Sequence, residues 1–275
     1  MIKTPLLSRL LSHAALVVLA LFFLAPLIYI LLSSFKPTEE IFAVPQSILP
    51  MNWTLDAYRE IGGGRVGQYF RNTTVITLSS VILVVILSSL AGYGFAKLPF
   101  RGSNLVLLAI VGTLTIPLAI LLVPIFLMAN QVGLLSTNLG LILPNVAVTL
   151  PFAILIMRAN FLSIPLEVEE AGIMDGAGTF TRWRLIMLPM ARNGVVLVTI
   201  ITSYNVWGEY ILAKTLAMNP DSMPLSVGLT LLKGEVWDYG LLAAVIVLAT
   251  LPPIIIFVFF QRKIVDGIAQ GAVKG

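Results

Sequence analysis

Apolar residues run in long unbroken stretches along this chain, and charges are confined to short intervals between them. No charge falls between Arg9 and Lys36, between Arg71 and Lys97, or between Arg101 and Arg158. A helix needs about 20 apolar residues to cross the hydrocarbon layer, because backbone polar groups in lipid must pair within the helix. The first interval predicts a crossing over 12–34, and the second a crossing between Arg71 and Lys97. The third is too long for one crossing. The polar run from Asn130-Gln131-Val132-Gly133 through Ser136-Thr137-Asn138 divides it into crossings three and four. Crossing five is expected over 193–217 and crossing six between Asp238 and Arg262. The pattern predicts an all-α membrane protein with six transmembrane helices, organised as a single transmembrane domain over 1–275 with no soluble domain appended.

Between the first two crossings, residues 35–71 carry Pro45, Pro50 and Gly62-Gly63-Gly64, which predicts an irregular loop with a short helix near Leu55–Ile61. Pro117, Pro124, Pro144, Pro151, Pro252 and Pro253 fall inside apolar segments, where prolines make kinks that neighbouring helices accommodate. Composition agrees with the pattern. The chain is 58% hydrophobic and 11% charged, against about 25% charged in soluble domains. Lys3 and Arg9 precede an apolar run that is too long for a signal peptide, so an uncleaved first crossing is expected.

The placement of the charges changes the picture more than their sum. Six crossings put both termini on one side. Eleven Lys and Arg residues then share that side, and six the other. The positive-inside bias predicts cytoplasmic termini in a multi-pass inner (plasma) membrane protein. The same topology places residues 161–189 in the cytoplasm. No cysteine is present, which excludes disulfides and thiolate chemistry. With one histidine, no transition-metal site is expected. No basic patch interleaves with aromatics, so nucleic acid is not a predicted partner.

Residues 167–189 are polar, helix-prone and broken by glycine. Pro165 suits a first helical turn, and Glu167, Glu169 and Glu170 favour the positive end of the helix dipole. The helix is expected to run to about Asp175 and to stop at Gly176-Ala177-Gly178. Thr179 or Thr181 can cap a second short helix that ends towards Pro189. Small residues at Ala171 and Gly172 allow another surface to approach closely. On physics alone, an amphipathic loop on the membrane surface and a docking element for a partner protein are both consistent with these residues.

Glu170-Ala171-Gly172, Asp175-Gly176-Ala177 and, eight residues later, Ile186-x-Leu188-Pro189 resemble the EAA loop of ABC importer permeases. Gly172 stands where that family has alanine. The resemblance extends over nearly the whole chain. Pro26-Leu27-Ile28, Ser33 to Lys36, Asn72-Thr73, Ala91 to Ala96, Phe100-Arg101-Gly102, Ile116-Pro117 and Pro151-Phe152 are all similar to carbohydrate-type permeases. The resemblance implies the type I-like permease fold. It makes 161–189 a coupling-helix loop docked on a cytoplasmic ATPase. The implied partners are two copies of that ATPase, a second permease subunit, an extracytoplasmic solute-binding protein and membrane lipid. The tail at 262–275 carries Gly271, Val273, Lys274 and Gly275, and resembles a family tail that enters the ATPase dimer interface.

No phosphate-cradling Gly-Lys-Ser/Thr loop occurs, so a partner chain must hydrolyse ATP, and the chain itself needs no cofactor. The chain is thus expected to be half of a sugar translocation pathway rather than an enzyme. Asn205, Trp207, Glu209 and Tyr210 resemble a Trp-Asn-Glu-Tyr region in crossing five of the carbohydrate permeases, with Gly208 departing from the pattern. Ionisable residues at membrane depth default to functional roles, which makes Glu209 a candidate for lining the pathway. The bland alternative is an interfacial aromatic belt with a snorkelling carboxylate. A secondary ion-coupled transporter would show inverted repeats and paired intramembrane carboxylates, and neither is evident. A membrane enzyme would need a His/Asp/Glu cluster at membrane depth, which is also absent. An ABC permease for a non-sugar solute would share the loop.

Overall fold

A computed structural model describes residues 6–98, 100–231 and 238–272. In chain order the helices are α1 (Leu6–Ser33), α2 (Thr38–Ile41), α3 (Asp56–Gly63), α4 (Val66–Lys97), α5 (Ser103–Thr113), α6 (Leu118–Gln131), α7 (Asn138–Leu162) and α8 (Leu166–Met174). They continue as α9 (Thr179–Thr181), a π-helical turn over Arg182–Met187, α10 (Leu188–Met190), α11 (Arg192–Trp207), α12 (Ile211–Leu216), α13 (Leu225–Gly228) and α14 (Tyr239–Ala272). Among the described residues, four helices are long and apolar enough to cross a membrane. Two bent pairs raise the number to six if each counts as one crossing.

The first bent pair is the expected third crossing, broken at one of its prolines. Helices α5 and α6 meet at 98°. Pro117 lacks an amide donor and disfavours helical geometry in Ile116, so the chain turns there. Pro117 then sits extended as the N-cap of α6. The Thr113 and Thr115 hydroxyls donate to the Ile110 and Gly112 carbonyls on the approach. Crossing five departs further from expectation. Its helix α11 ends at Trp207, and residues 211–216 form the separate helix α12. Crossing six lies where expected, over Tyr239–Gln261, and its helix α14 continues beyond it to Ala272.

The chain forms two compact units. One comprises residues 1–67 with 229–251, the other residues 68–228 with 252–275. In the first unit α1 exposes apolar side chains on every face from Leu10 to Leu27, as a helix bathed by lipid does. The short helix expected within residues 35–71 is α3. Glu40 organises the preceding loop by accepting from the Met51 and Asn52 amides and from the Ser47 hydroxyl. These donors hold its carboxyl below the usual carboxylate value, the Met51 amide contributing most. Asp238 accepts from the Thr38 hydroxyl and the Leu241 amide.

In the second unit α7 is the central element, packed by α5, α6, α11 and α12. Thr137 caps it by accepting from the Gly140 amide. Two glycines let α4 and α11 pack closely on α7. A Cβ on Gly92 would lie 2.7 Å from Met157 Cβ, and one on Gly194 would lie 2.7 Å from Asn160. Packing of this kind lets backbones approach where lipid offers no competing hydrophobic force. Gly94, two residues after Gly92, has nothing within 4 Å of its Cβ position. Residues 219–228 hang on α4. Gln68 and Asn72 donate to the Asp221 carbonyl, and the Leu225 amide donates to the Thr73 hydroxyl.

Candidate functional site

Residues 161–189 form one contiguous helical unit. Pro165 is the N-cap of α8 rather than its first helical residue, and Asp175 is the C-cap. Gly176 follows at φ +74°, a conformation that costs glycine little and other residues more. The second helical segment starts after Gly178. Neither Thr179 nor Thr181 supplies a side-chain cap, because both already lie inside the helix. Its middle widens into the π-helical turn just before Pro189. Proline has no amide for the Leu185 carbonyl, and its ring would clash with that carbonyl in a regular α-turn.

The matched positions divide by exposure. Glu170, Ala171, Asp175, Gly176 and Pro189 are exposed, Ala177, Ile186 and Leu188 are half-buried, and Gly172 is buried. A Cβ on Gly172 would lie 3.0 Å from Ile186 Cδ1 and 3.1 Å from Arg182 Cδ, both movable side-chain atoms, so alanine needs only a small adjustment there. Ile173, Met174, Phe180 and Leu185 add exposed apolar side chains. Among the methionines near the loop, Met157 and Met187 are fully buried, whereas Met174 and Met190 are exposed.

Beneath this face lies a cluster that sequence reasoning missed. Glu169 is 4% exposed. Its Oε1 accepts from the Tyr93 hydroxyl at 2.5 Å and from Arg182 Nε at 2.8 Å. Arg182 Nη1 also donates to the Ala177 carbonyl at 2.7 Å, and Lys97 Nζ to the Ile164 carbonyl at 2.7 Å. One signal was available. Glu169 is the charge in α8 that shares a face with buried Gly172, three residues on.

The expected pathway residues do not converge. Asn205 and Trp207 line a cleft of about 540 Å³ between α11 and α14, with Ser203, Tyr204, Pro253 and Phe257. Trp207 also packs edge-on against Phe70, with ring centroids 5.4 Å apart. Glu209 instead faces a small internal cavity with Thr73 and Asn145. Its two oxygens accept from the Leu212 and Ala213 amides at 2.7 and 2.9 Å. The carboxylate therefore caps α12, satisfying donors that a helix start otherwise leaves unpaired. Tyr210 is the N-cap residue of α12 and is exposed, outside the residues that line the cleft. A larger cleft of about 560 Å³ between the α5–α6 elbow and α7 is almost wholly apolar. Among the described residues no His/Cys/Asp/Glu group could hold a metal ion.

Residues 84–270, more than half of the chain, match the model of the binding-protein-dependent transport system inner membrane component family. The chain belongs to this family. Its members are non-enzymatic membrane permease subunits of ABC importers, which work with an ATPase and a solute-binding protein. The diacetylchitobiose uptake system permease protein of Streptomyces coelicolor is 34% identical over 267 residues, covering 96% of this chain and 88% of the relative. The sulfoquinovosyl glycerol transport system permease protein of Agrobacterium fabrum is 32% identical, covering 92% of this chain and 89% of the relative. The arabinooligosaccharides transport system permease protein of Bacillus subtilis is 30% identical, covering 94% and 92%. The fold is that of a bacterial ABC transporter involved in the import of the acidic polysaccharide alginate. The two chains superpose with a TM-score of 0.79 at 23% identity, covering 95% of this permease and 99% of that chain.

Proposed function

We propose that this permease is half of the translocation pathway of an ATP-driven importer of an oligosaccharide or sugar derivative. One observation carries the reading. Relatives named for the uptake of three different glycosides each align over more than nine-tenths of the chain. The α11–α14 cleft supports a neutral glycan, since Tyr204, Asn205 and Trp207 line it and none of its lining residues is basic. Aromatic faces suit the apolar faces of sugar rings, and an amide suits hydroxyls.

The rest of the transporter follows as part of the proposal. The loop over 161–189 docks on a cytoplasmic ATPase, of which two copies serve a heterodimer of this chain with a second permease. A solute-binding protein delivers the sugar from outside, and both termini are cytoplasmic. Closure of the ATPase pair then moves the loop, and rigid-body rocking of the helices switches access from one side to the other. Gly271 ends its described course inside α14, while Val273, Lys274 and Gly275 lie outside the described residues. Their contact with the ATPase is proposed on the resemblance of the tail alone.

Gentle-detergent purification of the tagged chain from native membranes tests the reading. The expected result is co-purification of an ATPase, a second permease and a binding protein. Screening that binding protein against oligosaccharides then names the solute. Purification of the chain alone, still active in uptake, would overturn the proposal in favour of a secondary transporter.

A further inference from the structure

The buried ion pair under the loop is poorly explained by stability. The side chains of Arg182 and Glu169 are 11% and 5% exposed. Withdrawing such charges from water is costly, and well-packed apolar residues in their place are often as stable. Compensation is also incomplete, because Glu169 Oε2 has no hydrogen-bond partner among the described residues.

What the cluster supplies is connection. Glu169 belongs to α8, Arg182 to the segment after the glycine turn, and Tyr93 to α4. One carboxylate oxygen therefore joins both limbs of the loop to a long membrane helix. Lys97, one turn beyond Tyr93, ties the same helix to Ile164 at the entrance of the loop. The Tyr93 ring packs edge-on against Phe161, with centroids 5.7 Å apart. Beside it, Gly92 brings the α4 backbone against Met157 and Arg158. The end of α4 is thus held both along α7 and onto the loop.

We propose that Tyr93, Glu169 and Arg182 are positioning residues that make the loop over 164–190 and the end of α4 move as one body. A push on the exposed face of the loop is then delivered to α4 instead of being absorbed by bending of the loop. The inference rests on the docking role proposed above. It goes beyond that role by naming the route through which displacement enters the membrane helices.

The absence of native cysteine allows a direct test. Leu90 on α4 and Leu166 on α8 are exposed, at 40% and 58%, and lie outside the cluster. Spin labels on Leu90→Cys and Leu166→Cys report their separation by pulsed EPR. In the assembled importer in nanodiscs, the parent is expected to give one narrow distribution, unchanged when the ATPase is trapped with ATP and vanadate. Tyr93→Phe keeps the ring but removes the donor. It is expected to leave the ATPase bound and to shift the distribution on trapping by about 1–2 Å or more, the scale of helix shifts in switching proteins. Glu169→Gln gives an independent reading should the first variant insert poorly. In the isolated chain the same labels are expected to broaden in both variants. Distributions that match the parent in every state would overturn the strut. A parent chain that never captures an ATPase would instead overturn the docking role, while the isolated-chain comparison still reads the strut.

Discussion

Glu209, a candidate for lining the pathway, also serves as a helix cap. Both of its oxygens are committed to the first amides of α12. Glu209→Ala is therefore expected to lower stability by about 1 kcal/mol, the usual loss for a removed cap, as a fall in the unfolding temperature of the purified chain. The apparent affinity for solute should not change. Asn205→Ala should do the reverse. Asn205 is exposed in the cleft, and losing one neutral hydrogen bond to a sugar hydroxyl should raise the half-saturating solute concentration about threefold to tenfold, with the unfolding temperature unmoved. Glu40 gives a pH-dependent case. Its folded carboxyl titrates below the unfolded value, so its contribution is present above the unfolded value and is lost as pH falls through the folded one. Glu40→Gln should lower the unfolding temperature at neutral pH. The difference from the parent should vanish well below about pH 4, where both side chains are neutral.

At the level of elements, the loop depends on a turn only glycine makes cheaply. Gly176 is at φ +74° with open space around its Cβ position, so a substitution there is penalised by backbone conformation and not by collision. Gly176→Asp should leave the chain folded in the membrane, at a cost of about 1–2 kcal/mol, while misaligning α8 against the following segment. Co-purification of the ATPase should fall with no matching fall in membrane yield. Retention of both ATPase binding and uptake would count against the docking role. The α5–α6 bend and the α11–α12 break have different causes. The α5–α6 bend comes from a proline and its preceding residue. The α11–α12 break comes at Gly208, where Glu209 starts a new helix. The interval without charge after Arg192 ends at Glu209, so a strict reading of charge would have ended crossing five correctly.

For the whole molecule, the proposed topology places Val44 outside and Met174 inside. Both are strongly exposed, at 96% and 86%. With no native cysteine, single Val44→Cys and Met174→Cys chains can be labelled cleanly. A membrane-impermeant maleimide added to intact cells, with the outer envelope permeabilised where one exists, should modify position 44 and spare position 174. The reversed pattern would place the loop where no cytoplasmic ATPase could reach it. The same molecule carries many exposed apolar side chains on α1 and on the α5–α6 elbow. That is the expected surface for a chain whose surroundings are lipid.

The kind of element was legible in the sequence because lipid imposes a one-dimensional rule. Charge is costly in hydrocarbon, so the intervals between Arg9 and Lys36 and between Arg71 and Lys97 read directly as α1 and α4. The loop was legible for a local reason as well, since its glycines, acids and Pro189 act within a few residues of themselves. Pairing across the fold was not legible. Nothing adjacent to Tyr93 marks it as the donor to a carboxylate 76 positions away. Asn205 and Glu209, four residues apart, end up facing different cavities because a helix breaks between them. Sequence determined what must lie in lipid and where the chain can turn. Only the tertiary structure decided which buried charges meet, because that depends on how close the glycines let α4 and α7 approach.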